Sequence, residues 1–122
     1  MNLASQLNFF YEKLNVRPGY EIDPDSGCHL YRGSRRNDGY CHLTYKNELN
    51  TDTSISVHRA AKMVQKQAKL PKLQASHLCN NKICINVEHI NLEANVINNQ
   101  RKRCASANRC FGHLGYPACI IT

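Results

Sequence analysis

Two groups of cysteine and histidine residues lie back to back in the last third of this 122-residue chain. They read Cys79-x4-Cys84-x4-His89 and Cys104-x5-Cys110-x2-His113-x5-Cys119. Four such ligands complete a tetrahedral zinc shell, so the second group is sufficient by itself. The first group needs one more ligand from elsewhere, and Cys28 and Cys41 are the upstream candidates. The spacing therefore predicts two closed zinc sites with a structural role.

Seven cysteines in so short a chain could also form disulfides. The count is odd, and the first fourteen residues mix Gln, Asn, Glu and Lys with their apolar residues, unlike a signal peptide. Both features favour a reducing compartment, the nucleus or the cytoplasm, where thiols bind metal instead of pairing. A secreted disulfide protein is one alternative, and a scatter of buried thiols is the other.

Metal ligation matters here because the chain has little material for a large apolar core. It contains three Phe and no Trp, and a single domain of this size buries a modest core. No stretch approaches the ~20 apolar residues of a membrane span, so no membrane partner is expected. The formal charge is +7, and two zinc sites with three thiolates each would leave it at about +5. That balance suits a polyanionic partner.

The N-terminal segment carries one apolar stripe at helical spacing. The stripe consists of Leu3, Leu7, Phe10 and Leu14. This pattern predicts an amphipathic helix that ends before the turn at Pro18 and Gly19. The helix is expected to pack on the main body, with a docking face for a partner chain as the alternative.

Further elements are predicted from residue preferences along the rest of the chain. Residues 28–31 and 40–45 are β-prone and flank a glycine-containing loop, which predicts a β-hairpin between them. A polar stretch, residues 46–54, leads into a helix over residues 58–70 that stops at Pro71. Residues 75–84 are expected to begin extended, residues 90–92 to form a brief strand and residues 93–103 a helix with its basic residues late.

The densest part of the chain resembles a known nuclease family. The residues that carry the resemblance are Ser76-His77-Leu78-Cys79-Asn80-Asn81-Lys82-Ile83-Cys84-Ile85-Asn86-Val87-Glu88-His89, followed by Asn98 and Cys104. This pattern resembles the His-Cys box homing endonucleases of the His-Me finger (ββα-metal, HNH-like) superfamily. The resemblance is specific over residues 76–119 and looser over residues 27–63, and the first twenty or so residues have no counterpart in it.

The fold implied by this resemblance is α+β, a small zinc-stabilised ββα-metal (His-Me finger) domain with an N-terminal helix and a β-hairpin. Residues 1–24 would form the helix and turn, and residues 25–122 the nuclease domain. Within that domain, residues 76–103 would form the ββα core and residues 104–119 the second zinc cluster.

The resemblance also assigns roles residue by residue. It implies that His77 is the general base and that Asn98 is the protein ligand of one catalytic Mg²⁺. It places one structural zinc on Cys28, Cys79, Cys84 and His89, and the other on Cys104, Cys110, His113 and Cys119. Cys28 is preferred to Cys41 because it lies in a Gly-Cys-x-x-Tyr context, where relatives place the ligand. These roles are chemically sensible, because a neutral His accepts a proton near physiological pH and Mg²⁺ prefers oxygen ligands.

The activity implied is hydrolysis of DNA phosphodiesters, with double-stranded DNA as the expected partner. Relatives usually carry an Arg on the central hairpin against the scissile phosphate, whereas this chain has His42 there. The predicted DNA contacts are Arg35, Arg36, Arg101, Lys102 and Arg103, although a basic helix end also compensates the helix dipole. The chain extends three residues past Cys119, which favours a monomeric nickase as much as a homodimer. The alternatives are a non-catalytic zinc-dependent nucleic-acid-binding module and a zinc-mediated assembly module.

Overall fold

A computed structural model describes residues 1–120 of the chain. The elements are three α-helices, one short 3-10 helix (Val87–His89) and six short strands. The helices are α1 (Leu3–Asn15), α2 (Val57–Lys66) and α3 (Asn95–Ala107). The strands are β1 (Tyr20–Ile22), β2 (His29–Tyr31), β3 (His42–Lys46), β4 (Asp52–Ser56), β5 (Gln74–His77) and β6 (Ile90–Glu93). Consecutive strands pair antiparallel as β1–β2, β3–β4 and β5–β6, so the described residues contain three separate hairpins.

Helix α1 begins where the Asn2 side chain accepts a hydrogen bond of 2.8 Å from the Ser5 backbone N–H. Such a cap satisfies one of the free donors of the first turn. Its predicted stripe faces the core, with Leu7, Phe10 and Leu14 buried. Phe10 meets Tyr45 edge to face at 5.0 Å. The stripe therefore packs on the main body, as expected, and is not an open docking face.

The predicted pairing of residues 28–31 with residues 40–45 is wrong. Strand β2 pairs instead with β1 around a turn that the Asp23 carboxylate caps by accepting from the Asp25 N–H. The same pairing places the predicted domain boundary at residue 24 inside the β1–β2 hairpin.

Strand β3 pairs with β4, which begins in the polar stretch of residues 46–54, where the sequence analysis named no strand. The Asn47 side chain accepts from the N–H groups of Leu49 and Thr51, and Asn50 takes a left-handed conformation with φ of 58°. These contacts make a tight local turn, and a short turn closes a hairpin at lower entropic cost than a longer loop. Strand β3 therefore pairs with β4, to which the connecting loop is short, and not with β2, from which it is separated by a longer loop.

The ββα unit expected from the sequence is present. Strands β5 and β6 pair with His77 opposite Ile90, and α3 follows directly. Helix α2 ends at Lys66 and is capped by Gln67, which adopts φ of 52°. The helix is therefore shorter than the predicted span of residues 58–70. Helix α3 continues to Ala107, beyond the predicted end at residue 103. Within residues 1–120, no helix is both long and apolar enough to cross a membrane.

Candidate metal centres and active-site cleft

The first metal centre joins two distant parts of the chain, Cys28 just before β2 and residues 79–89 after β5. Its ligand atoms come from Cys28, Cys79, Cys84 and His89, and all lie within 4.8 Å of one another. The Nδ1 atom of His89 is 3.6 Å from the Sγ atoms of Cys28 and Cys84. A tetrahedral ion with bonds of about 2.1 Å to nitrogen and about 2.3 Å to sulfur places such atoms about 3.6 Å apart. The residues therefore fit zinc, with Nδ1 as the histidine ligand.

Cys41 is not part of this centre. Its thiol is fully buried and points at the Gly33 carbonyl, 3.8 Å away. Burial raises the pKa of the Cys41 thiol, but it also raises that of Cys28, so distance and not acidity separates the two candidates. Among the ligands, a hydrogen bond from Cys79 lowers the pKa of Cys84, which favours the thiolate that metals bind.

The second metal centre follows the end of α3. Cys104, Cys110, His113 and Cys119 bring their ligand atoms within 4.8 Å of one another. Nε2 of His113 lies 3.6 Å from Cys104 Sγ and 3.3 Å from Cys119 Sγ, and its Nδ1 pairs with Gln100 Oε1 at 2.9 Å. The hydrogen bond between Nδ1 and Gln100 orients the ring with Nε2 towards the metal.

Backbone N–H groups also surround the thiols of the second centre. The N–H groups of Gly112 and Cys119 donate to Cys110 Sγ at 3.4 and 3.3 Å. They lower the pKa of the Cys110 thiol because they stabilise its charged form. The donor set and its surroundings therefore suit zinc here as well.

The first metal centre also positions His77, at the end of β5 and two residues before Cys79. The Nε2 atom of His77 is 2.9 Å from the backbone carbonyl of Cys84. A carbonyl oxygen only accepts, so Nε2 carries the proton and Nδ1 keeps its lone pair. Burial lowers the pKa of His77, opposed by this same hydrogen bond. The ring is thereby held in its neutral form, with a lone pair on Nδ1 that can accept a proton.

His77 opens onto a cleft of about 320 Å³. It is lined by residues from β3, α2, β5 and α3, and by the segment of residues 79–89, here called the first zinc loop. Its aromatic, histidine, lysine and asparagine side chains include Tyr40, His42, His58, His77, Lys82, Asn98 and Lys102. The cleft therefore gathers His77, Asn98 and His42, which the sequence placed far apart but assigned to one site.

Asn98 of α3 is held in place by a hydrogen bond from Ser76 of β5. The hydroxyl of Ser76 donates to Oδ1 of Asn98 at 2.9 Å, and Ser76 is 1 % exposed. One side of the amide oxygen is thus engaged while the residue lines the cleft. An amide oxygen is a suitable ligand for a hard cation such as Mg²⁺, so Asn98 fits the role assigned to it.

His58 is a cleft residue that the sequence did not single out for the reaction. It lies in the first turn of α2, with its ring centroid 4.1 Å from that of His77. The pKa of His58 is lowered to about 3 by burial and by His77, so the ring is neutral. Nδ1 of His58 and Nδ1 of His42 are buried without a hydrogen-bond partner among residues 1–120. The segment Val57-His58-Arg59 lies in the part of the chain that loosely resembles the family, but packing and substrate contact both explained a histidine there.

Arg101 requires a correction, because it is not an exposed DNA contact. Its side chain is 3 % exposed and pairs with that of Glu93, which is 0 % exposed, at 2.6 Å. The same guanidinium donates to the Pro117 carbonyl at 2.9 Å and to Cys119 Sγ at 3.4 Å. Burial raises the pKa of Glu93, but hydrogen bonds from Arg101 and Asn91 outweigh it and lower that pKa. Arg101 therefore connects β6 and α3 to residues 108–119, here called the second zinc loop. This structural role depends on the buried partner Glu93.

The other predicted DNA contacts are exposed. Arg35 and Arg36 lie in the loop before β3, and Lys102 and Arg103 lie on α3. Lys102 lines the cleft itself. Lys82, which was not predicted, donates to the Asp38 carbonyl at 2.8 Å and lies 5.2 Å from the Tyr40 ring centroid. It thereby links the first zinc loop to the loop that carries both arginines.

Comparison with known proteins gives one family match. A protein-family model described as the zinc-binding loop region of homing endonuclease matches residues 5–118. The match begins inside α1, so it includes the N-terminal helix for which the sequence resemblance had no counterpart. No curated protein and no solved structure matches the chain.

Proposed function

The chain belongs to the homing endonuclease family whose zinc-binding loop region matches residues 5–118, and from this premise we propose that it is a metal-dependent DNA endonuclease. The substrate would be the phosphodiester backbone of double-stranded DNA. The observation that carries the proposal is that His77 and Asn98 line one cleft, each held by a hydrogen bond to a neighbouring residue. Family membership alone supports a nuclease-related role, and this geometry supports the specific chemistry.

His77 is the proposed general base. In hydrolysis, the oxygen of a water molecule forms a bond to phosphorus, and the bond from phosphorus to the 3′ oxygen breaks. The water must lose a proton, and Nδ1 of His77 can receive it because the Cys84 carbonyl keeps the ring proton on Nε2. The carbonyl belongs to a zinc ligand, so the first zinc would hold the orientation of the base without touching substrate.

Asn98 is the proposed ligand of a divalent cation. When bound, Mg²⁺ would neutralise charge on the phosphate and assist departure of the 3′ oxygen. A single protein ligand binds such an ion weakly, so DNA phosphate would complete its shell. Zinc in the two closed centres would remain structural, since each has four protein ligands.

His42 occupies the place at which relatives usually carry an arginine. Burial and the nearby Arg36 lower the pKa of His42, so it would contact phosphate as a neutral hydrogen-bonding group. Positive charge beside the cleft would come instead from Lys82 and Lys102. One chain presents one such cleft within residues 1–120, so a monomer would nick one strand and a homodimer could cut both. We further propose that the protein works in a reducing compartment, the nucleus or the cytoplasm, because thiols that ligate metal must stay reduced.

The direct test is cleavage of supercoiled plasmid DNA with Mg²⁺. Wild-type protein should convert plasmid to the nicked or linear form, and His77→Ala should lower the rate at least about 100-fold. His29→Gln is the matched control, because the His29 ring stacks on Tyr20 at 4.6 Å outside the cleft. Failure of the wild type to cut with any divalent cation, combined with intact DNA binding, would establish the non-catalytic binding module instead. Equal cutting by His77→Ala would remove His77 from the mechanism and leave the nuclease class standing.

A further inference from the structure

Two arginines pack against one aromatic ring at the second zinc loop. Phe111 is 49 % exposed, and the guanidinium carbons of Arg103 and Arg109 each lie 5.2 Å from its ring centroid. Within residues 1–120, neither arginine forms a salt bridge. Cation–π packing therefore holds two like charges close together on an exposed surface. Such an arrangement is favourable for binding an anion.

The surrounding segment is cationic throughout. No Asp or Glu follows Glu93 in the chain, whereas Arg101, Lys102, Arg103 and Arg109 do. The ion pair with Glu93 neutralises Arg101, which leaves three exposed cations. A loaded second zinc centre would contribute about one negative charge, so a net positive surface would remain. Nucleic acid is the partner class that this surface fits.

A groove lies beside the active-site cleft and includes Lys102 of this surface. It is lined by Asp38, Tyr40, Asn80 and Lys82 and, from α3, by Lys102, Ala105 and Ser106. Lys82 and Lys102 line both the groove and the cleft. Along α3, Asn98, Lys102 and Ser106 follow one another at spacings of four, which places them on one side of the helix. Arg109 follows the left-handed residue Asn108, which caps the end of α3.

The length of this stripe suits a stretch of DNA backbone. Ala107, the last residue of α3, lies nine positions after Asn98, and Arg109 follows just beyond it. At a helical rise of 1.5 Å per residue, the helical part of the stripe spans roughly 14 Å, which equals about four base steps at 3.4 Å. The small side chains of Ala105 and Ser106 leave the middle of the stripe open.

We propose that α3 and the second zinc loop form a backbone-binding track for the DNA that flanks the cut, ending at the cluster of Arg103, Phe111 and Arg109. The inference rests on the proposed function, because the flanking DNA reaches this cluster only when DNA occupies the cleft. Lys82 and Lys102 contact phosphates next to the cleft, and the two arginines contact phosphates at the far end. Phe111 holds both guanidiniums in position. Since these contacts are to phosphate, they raise affinity for any duplex sequence.

The test is the salt dependence of duplex binding. The probe is a labelled duplex of about 30 base pairs and arbitrary sequence, bound with Ca²⁺ replacing Mg²⁺ and followed by fluorescence anisotropy over a series of NaCl concentrations. Each phosphate contact contributes about 0.9 to the slope of log K against log salt. The double variant Arg103→Ala/Arg109→Ala should therefore reduce the slope by about 1.8 and the affinity at 0.1 M salt at least tenfold.

The matched control is Arg17→Ala/Lys66→Ala, which removes the same net charge at two exposed positions outside the cleft and the groove. This control should keep the wild-type slope. Phe111→Ala keeps both charges and should weaken binding less than the double variant. Two bound zinc ions per chain and an unchanged circular dichroism spectrum verify that each variant is folded.

The outcomes separate this inference from the proposed function. Equal slopes for the wild type and Arg103→Ala/Arg109→Ala overturn the backbone-binding track, even if the wild type nicks plasmid. Equal losses in the control and the arginine variant overturn it too, because the effect would then be one of net charge. A reduced slope specific to the arginine variant supports the track, and plasmid cleavage by the same wild-type preparation reports separately on the nuclease.

Discussion

The hydroxyl of Ser76 donates a 2.9 Å hydrogen bond to the amide oxygen of Asn98, across the ββα unit from β5 to α3. The two residues are 22 positions apart in sequence. Ser76 is buried, while Asn98 lines the cleft. The hydroxyl therefore orients the oxygen that we propose as a cation ligand, and it contacts the cation site only through Asn98.

Ser76→Ala should raise the Mg²⁺ concentration needed for half-maximal cleavage by roughly tenfold or more, as loss of a group that orients a metal ligand usually does. The rate at saturating Mg²⁺ should fall less, because the base is untouched. The measurement is plasmid nicking over a Mg²⁺ series, with Ser54→Ala, at an exposed position of β4, as the control. An unchanged Mg²⁺ requirement would show that Asn98 is oriented without Ser76.

Asn98→Ala should abolish most cleavage while leaving duplex binding in Ca²⁺ within a few-fold of the wild type. The reason is that the substitution removes the proposed cation ligand but no positive charge. Asn99→Ala is the matched control, since Asn99 is the next residue of α3, is exposed and does not line the cleft. If both variants cut as fast as the wild type, the cation is held by another residue.

Cys79→Ser should remove one zinc per chain and unfold part of the domain, because structural zinc contributes binding free energy on the order of 10 kcal/mol in small metal-folded peptides. Cys41→Ser is an informative comparison, since Cys41 is even more deeply buried than Cys79 but lies outside both ligand sets. It should keep two zinc ions and lower the melting temperature far less. Zinc analysis and thermal unfolding monitored by circular dichroism provide the two readouts. Two bound zinc ions in Cys79→Ser would contradict the ligand assignment.

Arg101→Lys should destabilise the fold by about 3 kcal/mol, because it breaks a buried, two-pronged pair with Glu93 and leaves a carboxylate poorly compensated. Lysine keeps the charge but cannot reproduce the planar fork of donors. Chemical denaturation measures the change, and Arg103→Lys at an exposed position of the same helix should be nearly neutral for stability. A loss of less than about 1 kcal/mol would mean that the pair is dispensable.

Brief treatment with EDTA should stop cleavage at once without unfolding the protein, and excess Mg²⁺ should restore it. The proposed catalytic cation has one protein ligand, whereas each zinc has four and is released more slowly. Activity and zinc content followed over time separate the two metals. Loss of cleavage strictly in step with loss of zinc would identify zinc as the catalytic ion.

Local spacing in the sequence was sufficient for seven of the eight zinc ligands, whereas the family resemblance supplied the ββα unit. Cys79, Cys84 and His89 lie within eleven residues, so their grouping depends on short loops that few alternative folds can separate. The amphipathic stripe of α1 was predictable for the same reason, because one helical period determines which side chains are buried together. The choice of Cys28 over Cys41 came from the family resemblance, and the structure places Cys28 in the centre.

Only the tertiary structure decided which distant segments meet. The β-prone runs were identifiable, but the sequence did not show that β3 turns back on β4 through Asn47 instead of pairing with β2. A basic residue on a helix looks the same whether it faces solvent or a buried carboxylate, so Arg101 was misassigned until Glu93 was found beside it. The proximity of His58 to His77 was also not predictable, because a contact between α2 and β5 depends on tertiary packing and not on sequence spacing. The sequence by itself determined the ligands and the chemistry they permit, while long-range packing determined which side chains share the cleft.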